Sequence, residues 1–260
     1  MIAALFVANP GCYIGLPDVD PWDKERDARK YAGPWPVVAH PPCERWGRYW
    51  GGGPMLHGTP RQRKLGDDGG CFASALASVR KWGGVLEHPE ASHAFAAHEL
   101  RLPKWREPWR RADDRGGYVC CVAQGNYGHR ARKLTWLYAV PGSSLPGCLP
   151  DLDWSIPTMQ IKLEDGFHSR EERARLRKTG IRQRLSHRQR EATPLTFRDL
   201  LISIARSCQP TQTARAAHCH PCARPGFSTR AASATPVAFR DMLLDLARAS
   251  QPTQNARAAH

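Results

Sequence analysis

The sequence predicts a three-layer α/β domain over residues 1–160 and a basic, partly helical extension over residues 161–260. Three observations predict it. Short apolar runs of strand length recur through the first part, each closed by Gly or Pro. An amphipathic helical stretch lies between two of them, as in alternating strand–helix folds. The positive charge gathers late: residues 169–260 hold 17 Arg and Lys against 6 Asp and Glu.

The elements follow in order. Ile2 to Ala8 reads as a first buried strand. Asp18-Val19-Asp20 reads as a polar turn leading into a helix-like segment, Asp23 to Arg29. Val37-Val38-Ala39 is a second apolar run, stopped by Pro41-Pro42. Neither proline has an N–H for a sheet ladder, so the strand must end there. Cys43 then stands on a stiff turn at the rim of the sheet, where α/β proteins bind ligands. The glycine-rich run from Gly51 to Gly70 is a long loop directly after it, of a length typical of mobile lids. Cys71 to Trp82 is a helix, with Phe72, Leu76 and Val79 on one face and Gly83-Gly84 stopping it. Val85-Leu86-Glu87-His88-Pro89 is a strand that carries Glu87 at its end.

Residues 103–117 interleave Trp105 and Trp109 with Arg106, Arg110 and Arg111, a pattern that suits stacking on bases and contact with phosphates. Tyr118 to Val122 is another strand, in which Cys120 and Cys121 must face opposite ways. A basic loop from Gln124 to Lys133 follows, and Leu134 to Val140 is the next strand.

Strand-Pro-Pro-Cys, strand-Glu-x-Pro and a Gln-led basic loop, in that order, resemble the DNA (cytosine-5) methyltransferases. Small phage and prophage methylase-like proteins, in which His-Pro-Pro-Cys, Glu-x-Pro and Gly-His-x-x-x-Lys-x-Thr recur, are the nearest in pattern. The resemblance covers roughly residues 1–155 and implies a Rossmann-like, methyltransferase-like sheet. It implies that Cys43 is a nucleophile and Glu87 the acid that holds cytosine. It also implies substrate contacts from Pro42, Arg45, Gln124, His129, Arg130 and Arg132. The implied cofactor is S-adenosylmethionine, the implied partner DNA.

The chemistry asks for these residue types together. Cytosine C5 is a poor nucleophile until a thiolate adds at C6, which is covalent catalysis. An acid at N3 stabilises the charge that develops, and the base must leave the duplex to reach such a pocket. The thiol must ionise, so cations near Cys43 are expected, with Arg45 and Arg48 the candidates in sequence. The family's Phe-x-Gly-x-Gly turn is replaced here by Asn9-Pro10-Gly11-Cys12-Tyr13-Ile14-Gly15, with different glycine spacing. Asp18 and Asp20 stand where an acid would hold the cofactor ribose. Two readings from other classes stand beside this one. The chain could be a non-catalytic nucleic-acid-binding protein of a phage or mobile element. It could also be another cysteine enzyme, such as a hydrolase with His40 or His88 as base.

Composition sets the bounds. Of the 260 residues, 41% are hydrophobic, enough for a sizeable core. No apolar run approaches the ~18–20 residues of a membrane span, and the amino terminus lacks the pattern of a signal peptide. Nine cysteines without paired spacing point to a reducing cytoplasm rather than a disulfide framework. The formal net charge of +14 favours a polyanion partner. Residues 192–218 recur as 234–260, and 18 of the 27 aligned positions are identical. Each copy starts an amphipathic helix after Thr-Pro, and one copy is expected to pack on the core. Between them, His218-Cys219-His220-Pro221-Cys222 has no matching second pair, so no metal site is assigned.

Overall fold

The computed structural model describes residues 1–52, 54–141, 149–157, 171 and 185–208. The chain divides into two compact units, residues 1–219 and 220–260, and every described residue lies in the first. The second repeat copy and the cluster from Cys219 to Cys222 lie outside the described residues, as does most of the segment beyond 160.

The first unit is an α/β fold. Its strands are β1 (Ile2–Leu5), β2 (Val19–Trp22), β3 (Val37–Ala39), β4 (Gly84–Pro89), β5 (Arg110–Arg111), β6 (Tyr118–Ala123) and β7 (Leu134–Val140). They form one mixed sheet in the order β2-β1-β3-β4-β7-β6-β5. The first four run parallel, while β7 is antiparallel to both β4 and β6. The described helices are α1 (Cys71–Trp82), α2 (His93–Ala97), α3 (His187–Glu191) and α4 (Leu195–Ser207).

Central strands are buried on both faces, so they read as unbroken apolar runs. Every residue of β1 and β3 is fully buried. Ala3, Leu5, Val37, Ala39 and Leu86 face α1 and pack with Phe72, Ala75, Leu76 and Val79. Ile2, Ala4, Val38 and Val85 face the other way and pack with Phe197, Leu201 and Ile204 of α4. Helices thus cover both faces. Cys120 falls in the α4-side cluster and Cys121 in the α1-side cluster, on opposite faces of β6.

The junction from α1 to β4 depends on two glycines. Gly83 closes the helix at φ 76°, its N–H bonded to the Val79 carbonyl. Gly84 has φ 118°, and a Cβ there would stand 2.0 Å from the Val37 carbonyl oxygen. Only glycine allows β4 to come this close to β3.

Four expectations need correction. β1 ends at Leu5 rather than Ala8, because Phe6 takes a left-handed conformation at φ 58°. Residues 19–22 are a strand and not a turn; β2 is the sheet edge, where Pro21 is tolerated. The helix expected over Asp23–Arg29 is a set of turns ending in one 3-10 turn, Ala28–Lys30, because Asp27 takes a left-handed conformation at φ 54° that no α-helix can run through. The compact unit runs past residue 160, to 219, and within it α4, from the repeat copy expected to pack on the core, supplies one face of the sheet.

Candidate functional site

The parallel half of the sheet places the site. The chain leaves β1 for β2 on one side and returns to β3 on the other, so β1 and β3 part at their carboxyl ends. Such a switch point opens a crevice in α/β sheets. β3 and β4 are parallel neighbours, with Ala39 opposite Leu86. His40 and Glu87 are the next residues along, and both project to the α4 side by strand alternation.

Glu87 is the centre of a hydrogen-bonded cluster. His40 Nδ1 is 3.0 Å from Glu87 Oε2, and Gln124 Nε2 donates to Oε1 at 3.2 Å. On its other side the His40 ring meets Tyr13, with Nε2 2.9 Å from the hydroxyl. Gln124 Nε2 also donates to Thr135 Oγ1 at 2.9 Å. The Gln124 side-chain oxygen, Oε1, is buried and meets no donor among the described residues. Burial alone would raise the Glu87 carboxyl, but the His40 hydrogen bond and the His40 and Lys133 charges outweigh it and hold the pKa below the ordinary value. Glu87 is therefore a carboxylate in the free protein. β4 does not end at Glu87; it continues to Pro89, paired with β7.

Cys43 sits on the turn after β3. Its carbonyl accepts from the Trp46 and Gly47 N–H groups at 3.0 and 2.8 Å, which wraps the chain into one tight turn. Pro42 and Cys43 are both exposed residues. The thiol itself is crowded: its surroundings and the Glu87 charge push it up to about 11. The cation that acts against this is Lys133. This corrects the expectation of a thiol lowered by Arg45 and Arg48. Arg45 lies 3.9 Å from Glu44, its Nη1 buried without a hydrogen bond among the described residues, and Arg48 is an exposed surface residue.

Lys133 has a left-handed backbone, φ 38°, where the loop turns into β7. Its Nζ reaches the carbonyls of Glu191 and Ala192 at 3.5 and 3.4 Å, at the end of α3. Burial lowers its pKa, against the raising charges of Glu87 and Cys43. The sequence placed Lys133 in a motif but gave it no role.

The basic loop divides. Gln124 joins the cluster. His129 is buried, pinned between Ala131 and the Gln189 carbonyl, and burial lowers its pKa. It fastens the loop to α3 and stands apart from Glu87. Arg130 is exposed, and Arg132 stacks over the Trp105 ring at 4.7 Å. Neither arginine bonds to the cluster among the described residues. Trp109 bonds to the Pro150 carbonyl, and Arg101 and Arg110 pair with Glu107, so much of this aromatic-basic stretch is engaged within the fold.

His88 faces away from Glu87. It is fully buried, 2.7 Å from the Ser92 hydroxyl and edge-on to Phe72. Burial drives its pKa down to about 4. Its Nε2 meets no close hydrogen-bond partner among the described residues, and the nearby Pro42 carbonyl works against that drop. A base for a hydrolase cannot be drawn from His88. His40 carries no hydrogen bond to the Cys43 sulfur among the described residues, and its ring nitrogens are given to Glu87 and Tyr13.

The loop after Cys43 is not an open excursion. Gly66 N–H bonds to the Arg45 carbonyl, and Trp46 Nε1 donates to Asp68 at 2.8 Å, which ties its far end to the Cys43 turn.

The acids expected to hold a cofactor are otherwise employed. Asp20 accepts from Arg26 at 2.7 Å and from Trp22 Nε1 at 2.8 Å, through different oxygens. Asp18 is exposed at φ 61°, before β2. The acid at the carboxyl end of β2 is Asp23, bonded to Asn9 on the turn after β1 at 3.0 Å. Asp18 and Asp20 therefore do not fit a ribose-binding role. No cluster of three or more metal-ligating side chains occurs among the described residues, and no helix among them is long and apolar enough to cross a membrane.

No protein-family model, curated protein or solved structure matches the chain.

Proposed function

We propose that the chain is a DNA cytosine-5 methyltransferase-like protein, with a Rossmann-like sheet that presents Cys43 and Glu87 to a flipped cytosine. One observation carries the proposal. β3 and β4 are in-register parallel neighbours, and the charge of Glu87 is felt at the Cys43 thiol. A nucleophile and an acid on adjacent strand ends suit a planar ring held between them. In the proposed step the Cys43 thiolate adds to C6, the C5–C6 double bond moves to C4–C5, the C4–N3 double bond opens onto N3, and N3 takes a proton from Glu87. Gln124 fixes the Glu87 carboxylate, and the basic surface supplies phosphate contacts. S-adenosylmethionine is the methyl donor the resemblance implies. Since Asp18 and Asp20 do not fit it, no transfer step is derived.

The second reading, a nucleic-acid-binding protein without catalysis, is favoured by that mismatch and by a thiol held near 11 in the free protein. Trapping on DNA containing 5-fluorocytosine, with and without S-adenosylmethionine, separates the two. A covalent adduct that is lost in Cys43→Ser supports the enzyme. Binding without an adduct supports the second reading, and calorimetry with S-adenosylmethionine tests the cofactor directly.

A further inference from the structure

Glu87 faces a difficulty in that chemistry. It is ionised in the free protein, yet the ring nitrogen needs a proton when the thiolate adds. The groups that act on Glu87 are His40, Lys133 and His88. Lys133 gives its donors to the carbonyls of Glu191 and Ala192. His88 points to the other face of the sheet and stays neutral. Among the described residues, only His40 both touches the carboxylate and can carry a proton to it. Its other nitrogen meets Tyr13, itself buried at 2% exposure. Tyr13 in turn faces Cys12, Arg198 and Asp199, and burial keeps its hydroxyl protonated.

We infer that Tyr13, His40 and Glu87 form one proton line, in which His40 is the positioning residue that loads Glu87 with the proton it passes to the bound base. This rests on the proposed function above. The balance is simple. Protonated His40 loses hydrogen from Nδ1 to Glu87 Oε2; the N–H bond breaks and the O–H bond forms. His40 is left neutral with hydrogen on Nε2, which donates to the Tyr13 oxygen. When the carboxyl instead holds no proton and His40 is neutral at Nε2, the Tyr13 hydroxyl turns and donates to that nitrogen. A hydroxyl is both donor and acceptor, so Tyr13 fits the ring in either state. No tyrosinate is formed. The proton returns by the same path when the thiol leaves C6.

The test uses the full chain labelled with ¹⁵N-histidine, together with 5-fluorocytosine DNA. The His40 ring-nitrogen signals should move in Glu87→Gln, and Tyr13→Phe should move the Nε2 signal alone. His40→Gln keeps a hydrogen bond but cannot pass a proton. It should slow trapping on the order of 10²-fold, as loss of an acid–base group does, and change its pH profile. A His40→Gln protein that traps with the wild-type profile overturns the inference. So do His40 signals indifferent to Glu87→Gln in a folded protein. If the wild type forms no adduct, the functional reading fails by itself, and the ring-nitrogen response alone decides whether the line exists.

Discussion

His40 and Glu87 meet at 3.0 Å because they are the first pair beyond Ala39 and Leu86, the last registered pair of β3 and β4. The contact is thus a product of strand register. A slip of one residue would send one side chain to the opposite face of the sheet. The same register brings the Cys43 turn over Glu87, so the cluster and the sheet stand or fall together.

The carboxylate makes a pH prediction. The folded-state pKa of Glu87 lies below its ordinary value, so its contribution to stability is present above the unfolded pKa and is lost as pH falls through the folded one. Wild type should lose stability on acidification below about pH 4.3, the ordinary glutamate range. Glu87→Gln should lose less over that interval. At neutral pH the variant gives up a charge-assisted bond to His40, at a cost of about 1.5–3 kcal/mol. Urea melts of both proteins at several pH values measure the two effects. Parallel curves would count against the ion pair.

His88 predicts a second slope, at higher pH. Its folded pKa of about 4 lies below the unfolded value near 6.5. The unfolded chain therefore takes up a proton that the folded chain refuses. Stability is full above pH 6.5 and falls as pH drops toward 4, by roughly 3 kcal/mol in all, at 1.36 kcal/mol per pKa unit. His88→Gln can keep the bond to Ser92 and should remove that slope. Chemical denaturation between pH 4 and 7 reads it directly.

Much of this fold is legible in sequence, and the failures have physical causes. β1, β3, β6, β7 and α1 are strongly patterned, because buried strands and an amphipathic helix each impose their own period. β2 is hidden because an edge strand tolerates Asp20 and Pro21, which directly after Asp18 look like a turn. The meeting of Glu87 and Gln124 is foreshadowed by strand ends and breakers. Tyr13 and Lys133 are not, since their nearness to Glu87 depends on long-range packing. One signal was available: Lys133 comes directly before β7, in which Thr135 and Leu137 lie on the face that Glu87 shares. Arg130 and Arg132 misled because a basic loop looks uniform in sequence, whereas the left-handed turn at Lys133 sorts its side chains.

Gly84 predicts how tightly the site is tied to the sheet. A Cβ there would stand 2.0 Å from the Val37 carbonyl oxygen and 2.6 Å from the Val37 nitrogen, backbone atoms that cannot swing aside. Gly84→Ala should cost on the order of 3 kcal/mol, among the larger effects of single substitutions. It should also part β3 from β4, so the response of the His40 ring signals to Glu87→Gln should vanish. Gly15→Ala, where no atom lies within 4 Å, should cost only the strain of its left-handed φ of 75°, about 1–2 kcal/mol. Thermal melts of the two variants side by side decide the matter, and equal losses would refute the close approach.

The last prediction concerns the thiol. Cys43 is exposed, yet its thiol is pushed up to about 11 by its crowded surroundings and by the Glu87 charge, with Lys133 opposing. Alkylation needs the thiolate. Iodoacetamide should therefore modify Cys43 slowly at pH 7 to 8, slower than a free cysteine of pKa about 8.5. Removing the negative charge in Glu87→Gln should speed the reaction. Removing the cation in Lys133→Met should slow it further. Peptide mapping by mass spectrometry separates Cys43 from the partly buried Cys12 and Cys71. The two variants must move the rate in opposite directions, because the charges act on the thiolate with opposite sign. A shift in the same direction in both would mean that access, and not electrostatics, governs Cys43.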